Sequence, residues 1–362
     1  MKNLLLFISM VAIIAASSCS SDTGGGPTFD RALLVEGAAD NLILPAYEAA
    51  LLAFGNLNTA AGNFAATPNG QTLQTLQQSW TSAKLAWKRA EPYNFGPIET
   101  KALETSVDLW PTNDFGIETT LASTPDFNIG DLQAVASDRK GLPAIEYLIF
   151  AGAETDIITR FANDANRGNY LTAITSDLFN IMVAIINEWS PSGNNYRQTF
   201  VSSTGTSASA STTVLANEMI FYQEFIKNFQ IATPLGLRTN GIIQPDLVEA
   251  PYSGQSLNFA LASLNAVEDA FTGNGSSGFD AYLDALNIQS NDQPLSQAIT
   301  SKINSARAAL NAITPPLREA VTNNPQAVEA AFIELQDLTV LLKVDMMSNL
   351  GLTVTFSDND GD

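Results

Sequence analysis

Apolar residues recur every three or four positions along nearly the whole chain and almost never every second position. Helix packed on helix is therefore the architecture that can bury them. Val328, Ala331, Phe332, Leu335, Leu338 and Leu342 trace one such stripe, opened by Asn324-Pro325 and stopped by Gly351. Leu295, Ala298, Ile299, Ile303, Ala306, Leu310 and Ile313 trace another, ended by Pro315-Pro316. Leu257, Leu261, Leu264 and Val267 mark a third, closed at Gly273-Asn274-Gly275. In the first half the pattern predicts a helix over 30–64 with a kink or break at Pro45, and a second over 70–90. A third is predicted from Asp131 through Phe150, and a fourth over 170–189. Strand-like alternation is confined to Leu352–Phe356. The fold class is all-α. A Ser/Thr/Gly/Ala run over 202–213 splits the helices into two groups, which predicts two packed helical bundles, residues 29–201 and 214–356.

The N-terminus is that of an exported protein. Lys2 precedes an apolar stretch, Leu4 to Ala16, of signal-peptide length and too short to cross a bilayer as a helix. Ala16-Ser17-Ser18 leads to Cys19, the only cysteine in the sequence, which cannot pair within the chain. This reads as a signal peptide over 1–18, lipidation at Cys19 and a linker over 19–28. Acyl chains on Cys19 would hold the protein to a lipid membrane, at about 0.8 kcal/mol per buried methylene. Ser20 and Ser21 after the cysteine point to the outer membrane of a bacterial envelope. With 37 acidic against 17 basic residues the formal charge is -20, which argues against nucleic acid as a partner. An acidic surface serves solubility and also draws in cationic ligands. The acidic C-terminus, Asp358 to Asp362, starts like a calcium loop but lacks the later ligands and reads as a solvated tail.

One acid stands out because it lies in an apolar helical run. In Gly141-Leu142-Pro143-Ala144-Ile145-Glu146-Tyr147-Leu148-Ile149-Phe150, Glu146 needs a hydrogen-bond partner, a counter-charge or a metal to be tolerated in a core. Pro143 suits a first helical turn, which sets the helix start near Leu142 and brings Glu146 close to its positive end. The chain contains no histidine. A zinc hydrolase of the usual kind lacks its ligands here, and no Gly-x-Ser-x-Gly elbow suggests a serine hydrolase. Oxygen donors do suit hard cations, so iron or calcium held by carboxylates is one reading of Glu146. A structural acid paired with Arg89, or capping a neighbouring helix, is the other.

The segment Gly141–Phe150 also resembles the GxHxxE motif of the imelysin family, with Pro143 in the place of its histidine. Asn41 to Tyr47, Trp87-Lys88-Arg89, Phe95-Gly96-Pro97, Trp110-Pro111, Glu249-Ala250-Pro251-Tyr252-Ser253 and Leu350 to Phe356 are similar to further pieces of that family, in order. The resemblance covers nearly all of the mature chain. It implies two helical bundles with a site where they meet, and a role in iron acquisition at the envelope, with an iron-uptake protein as partner. It also carries a metallopeptidase label. The residues expected at the site are Glu146 and Glu249 as metal ligands, and Arg89, Trp110 and Asp114 as members of the cleft. Asp108 is another acid close to the motifs, and Trp87, Tyr93, Phe95 and Tyr147 are candidate pocket aromatics. A non-enzymatic binding protein and a pure interaction module are both open, beside the peptidase.

Overall fold

The computed structural model describes residues 28–356. The signal peptide, Cys19, nearly all of the linker and the tail at 358–362 lie outside the described residues. What is described is helical almost throughout, and its strands are two short pieces, Gln289–Ser290 paired with Gln293–Pro294.

Nine helices carry most of the packing: α1 (Leu44–Ala66), α2 (Gly70–Ala90), α3 (Asp114–Ser123), α4 (Gly141–Phe150) and α5 (Ala165–Trp189), then α6 (Ser211–Phe225), α7 (Ser256–Thr272), α8 (Leu295–Ala312) and α9 (Pro325–Val340). In the first group α1 lies along both α2 and α5, and α4 packs on α2 and α5. In the second, α8 and α9 pair, and α7 bridges α6 and α8. The two groups meet mainly where α7 lies on α2, and their buried apolar residues form one continuous cluster.

Each prolyl and glycyl signal has a local consequence. Pro45 has no N–H for the carbonyl of residue 41, and its ring would collide with that carbonyl in a regular helix. The chain resolves this with a π-helical turn, Ala39–Ile43, between Arg31–Ala38 and α1. α2 starts on a reciprocal capping box between Asn69 and Thr72. Its buried stripe is Leu73, Leu76, Trp80, Ala83, Lys84, Trp87 and Lys88, so two lysines sit where apolar residues would be expected.

Three expectations need correction. The helix expected from Asp131 is instead two 3₁₀ turns, Ile129–Ala134 and Ser137–Arg139, followed by α4 from Gly141. Pro143 is the reason: a continuous helix would drive its ring into the Arg139 carbonyl. That carbonyl accepts the Tyr170 hydroxyl instead. The Ser/Thr-rich run is also less of a linker than its composition suggests. Helix α6 begins at Ser211, ahead of residue 214, with Ser211, Thr212 and Thr213 buried. Ser211 donates to the Phe200 carbonyl and Thr213 to that of Thr206, which makes two of these hydroxyls tolerable inside. Finally, Leu352–Phe356 joins no sheet. The Asn217 side chain bonds it as a strand neighbour would, donating to the Thr353 carbonyl (2.9 Å) and accepting from the Thr355 N–H (2.8 Å).

Gly141 makes the start of α4 possible. Its φ is +77°, and a Cβ there would lie 2.5 Å from the Val107 carbonyl oxygen. Gly141→Ala is expected to lower the unfolding free energy by about 2–4 kcal/mol, from left-handed strain plus a collision with backbone that cannot rotate away. Urea denaturation measures it. A loss below about 0.5 kcal/mol would show that the 106–107 segment yields readily.

Candidate functional site

Lys84 and Lys88 are one turn apart on α2 and both are fully buried. Bare ammoniums there would be prohibitively costly, so their surroundings have to supply negative charge. Glu249 and Asp108 supply most of it. Glu249 Oε1 is 2.8 Å from Lys84 Nζ and 2.6 Å from Lys88 Nζ, and its Oε2 accepts from Gln230 Nε2 at 2.6 Å. Asp108 pairs with Lys84 and, at 3.0 Å, with Lys88. Glu91 pairs with Lys88 at 2.8 Å and accepts the Tyr222 hydroxyl at 2.8 Å. Tyr222 also lies 2.8 Å from Ser263 on α7. The network thus ties α2 to the second group from three directions: α6, α7 and the 248–256 loop.

Electrostatics follow from this geometry. Burial alone would raise the Glu249 carboxyl, but the two ammoniums overcome it and hold the group at about 2. Burial opposes the charge on Lys88, yet Asp108, Glu249 and Glu91 together keep it protonated well above the ordinary lysine range.

Glu146 lies beside this network. α4 is fixed on α2 by Trp80, whose indole N–H donates to the Leu142 carbonyl at 2.8 Å. That places Glu146 Oε1 against the backbone of the 248–256 loop, where it accepts from the N–H groups of Ser253 (2.7 Å) and Tyr252 (3.1 Å). A turn at Gly254, with φ +70°, follows. One carboxylate from the first group therefore holds a loop of the second. Burial raises the Glu146 carboxyl to about 7, against the opposing pull of the Ser253 N–H and the Lys84 charge.

Glu146 and Glu249 also line a cavity of about 500 Å³ where the two groups meet, together with Trp110, Asp114, Pro143 and Tyr252. The Tyr252 hydroxyl donates to Asp114, and an Arg318–Asp246 pair borders the same space. Four of the five site residues expected from the sequence therefore share one cavity. Arg89 does not. It is exposed, and its charge acts on Asp269 and Tyr93 rather than on Glu146. One residue past Lys88 is a rotation of about 100° around a helix, which carries Arg89 off the buried stripe. Asp108 belongs to the lysine network. Trp87, Tyr93 and Phe95 are core, and Tyr147 packs edge-on to Tyr252 with its hydroxyl on Glu118 (2.8 Å).

The expected metal does not fit this donor set. Both Glu249 oxygens are engaged, Oε1 by two ammoniums and Oε2 by an amide, and Glu146 Oε1 already accepts two N–H groups. Among the described residues no three His, Cys, Asp or Glu side chains are grouped to hold an ion. Lys84 and Lys88 fill the cationic role that iron or calcium was expected to play. In the sequence Lys88 stands out only as part of the Trp87-Lys88-Arg89 piece, and Lys84 not at all. Their signal was their register, continuing the Leu73, Leu76, Trp80 and Trp87 stripe. Tyr252 was visible only as part of a motif, and Gln230 and Arg318 had no signal.

The comparisons agree with the fold. The chain is 22% identical over 290 residues to iron-regulated protein A of Synechococcus elongatus, spanning 78% of this chain and 76% of that one. An iron-regulated protein A precursor from Parabacteroides distasonis has a similar structure, with a TM-score of 0.76 at 20% identity, covering 90% of this chain and 96% of that chain. An imelysin-like protein from Psychrobacter arcticum superposes with a TM-score of 0.74 at 20% identity, covering 91% and 99%. The family model for imelysin, a peptidase M75 family, matches residues 43–343. With that match running from the turn before α1 to beyond α9, and enclosing the lysine network and the cavity, this chain belongs to the imelysin family.

Proposed function

We propose that this protein is a non-enzymatic, lipid-anchored component of the bacterial outer membrane that binds a partner in iron acquisition through the cavity between its two helical groups. The carrying observation is the convergence of Trp110, Asp114, Glu146 and Tyr252 on one space at that junction. Its acceptors, Asp114 and Glu146, suit a partner presenting cationic or N–H groups. The iron context is supported by the relatives described as iron-regulated protein A, and export by the one described as a precursor. The peptidase reading has less support. It needs a metal or a nucleophile–base pair, whereas Glu249 is paired with two lysines, Glu146 Oε1 with two backbone N–H groups and Asp114 with the Tyr252 hydroxyl.

A photo-crosslinking residue at Thr112, on the cavity wall, tests this in iron-starved cells of the native host. The expected result is one discrete protein adduct, absent when the probe is placed at Arg89, which is exposed and does not line the cavity, and reduced at least severalfold by Asp114→Asn. Equal labelling from both positions would overturn the reading. So would metal-dependent cleavage of casein by the purified chain, lost in Glu146→Gln, which would favour the peptidase. Titration with ferric, ferrous and calcium ions adds a third arm. Heats abolished by Glu146→Gln would return the cavity to metal binding.

A further inference from the structure

A second cavity opens between the two helical groups. It encloses about 330 Å³ between α6 and the stretch 91–109 that follows α2. Glu249 of the lysine network faces the first cavity, whereas Glu91, Asp108 and Tyr222 of the same network face this one. Leu109 lines this cavity and Trp110 the other, so adjacent residues serve different spaces.

The walls combine aromatic rings with carboxylates. On α6, Glu218, Phe221, Tyr222 and Phe225 follow the i, i+3, i+4, i+7 spacing of a single helix face. Tyr222 and Phe225 stack at 5.8 Å with their planes 4° apart, and Phe221 is 50% exposed, so its ring is open to a ligand. Phe225 already receives one cation, with Lys88 Nζ 5.5 Å from its ring centroid. Glu104 enters from the first group, at the start of the short helix Glu104–Val107.

The acids differ in what balances them. Glu91 and Asp108 are paired with the buried lysines. Glu104 and Glu218 have no ion pair among the described residues. Glu104 Oε2 and Asn94 Oδ1 are buried atoms of the cavity wall, and neither accepts a hydrogen bond from a described residue. Asp108 Oδ2, on a side chain only 1% exposed, has the Lys88 charge at 3.0 Å but no hydrogen bond. Acceptors of this kind are costly to bury unless a donor reaches them. Burial raises Glu218 to about 8 and lifts Glu104 above the ordinary carboxylate range, the response of acids without a counter-charge.

A cation that donates hydrogen bonds meets these needs. A bare hard metal ion does not, because it takes several oxygen ligands at once, and among the described residues no three acids are grouped for that. Aromatic walls suit a cation with an apolar body instead. We infer that this cavity binds a small organic ammonium ion, its N–H groups on Glu104, Asn94 and Glu218 and its apolar body against Phe221 and Phe225. The site is independent of the function proposed for the first cavity.

Calorimetric titration of the full chain with 2-phenylethylamine and with 1,5-diaminopentane at pH 7 tests the site, with 2-phenylethanol as an uncharged counterpart. Saturable binding of at least one amine is expected, with the alcohol at least tenfold weaker. Glu104→Gln and Glu218→Gln should each weaken amine binding about tenfold, as loss of a charge-assisted contact does, and 0.5 M sodium chloride should weaken it severalfold. Phe221→Ala, at a half-exposed position that the core does not need, should weaken it at least threefold. Failure of both amines to bind, or binding no tighter than that of the alcohol, would overturn the inference. So would amine binding that survives both glutamine variants and Phe221→Ala. Binding lost in Asp114→Asn but not in Glu104→Gln or Glu218→Gln would place the amine in the first cavity and overturn it too.

Discussion

Lys88→Met should cost about 3–5 kcal/mol of unfolding free energy, read by urea denaturation at pH 7. It removes one partner of a buried ionic network and strands the rest. Among the described residues Lys88 alone touches Glu91, Asp108 and Glu249 together, and both it and Glu249 are buried. Without it Lys84 alone faces Asp108 and Glu249. The second substitution Glu249→Gln in the same chain should recover at least 1 kcal/mol, because it deletes the charge left uncompensated. The pH dependence has a definite sign. Glu249 is held at about 2, below its unfolded value of 4.5, so its contribution is fully present above 4.5 and is lost as pH falls towards 2. A loss below about 1 kcal/mol for Lys88→Met would mean that water reaches the network in solution.

Glu146→Gln should act in the opposite direction at neutral pH and above. A carboxyl that titrates at about 7 when folded and at 4.5 when unfolded binds its proton more tightly in the native state. The native state therefore loses stability as pH rises between those values, by about 3 kcal/mol once Glu146 is fully ionised. Glutamine keeps an oxygen for the Ser253 and Tyr252 N–H groups and never ionises. The variant should match the parent near pH 4.5 and exceed it near pH 8, with a flatter profile between. Glu218, raised to about 8 by burial and by the charge of Glu99, leaves a shallower slope in both proteins. Parallel profiles for parent and variant would show that Glu146 is already ionised at low pH, held by Lys84 more strongly than burial opposes it.

These two side chains also mark how far the sequence can be read. Glu146 was conspicuous because an acid in Gly141–Phe150 interrupts a run of apolar residues, and it proved to be buried and to line the junction. Lys84 and Lys88 lie on an equally apolar stripe but in a helix rich in polar residues on its other faces, so their register is the one local sign that sets them apart from solvated lysines. Arg89 shows the converse error. Its place in a recognisable motif suggested a role beside Glu146, while the helical rotation from Lys88 puts it in water. Pro143 marks a helix start within its own turn, whereas its effect on the preceding turns arises from a collision with a carbonyl four residues away.

Most of the helices, several of their ends and the all-α class follow from the sequence by itself, because periodicity, proline and glycine act over a few residues of chain. The sequence also marked out Trp110, Asp114, Glu146 and Glu249, scattered over more than a hundred positions, as belonging together. Only the tertiary structure decided which charges meet. Pairing Glu249 with Lys84 and Lys88, and seating Glu146 on the backbone of Tyr252 and Ser253, depends on how α2, α4 and the 248–256 loop are brought within 3 Å of one another. Electrostatic and hydrogen-bond energies change over that same distance, which no pattern along the chain resolves.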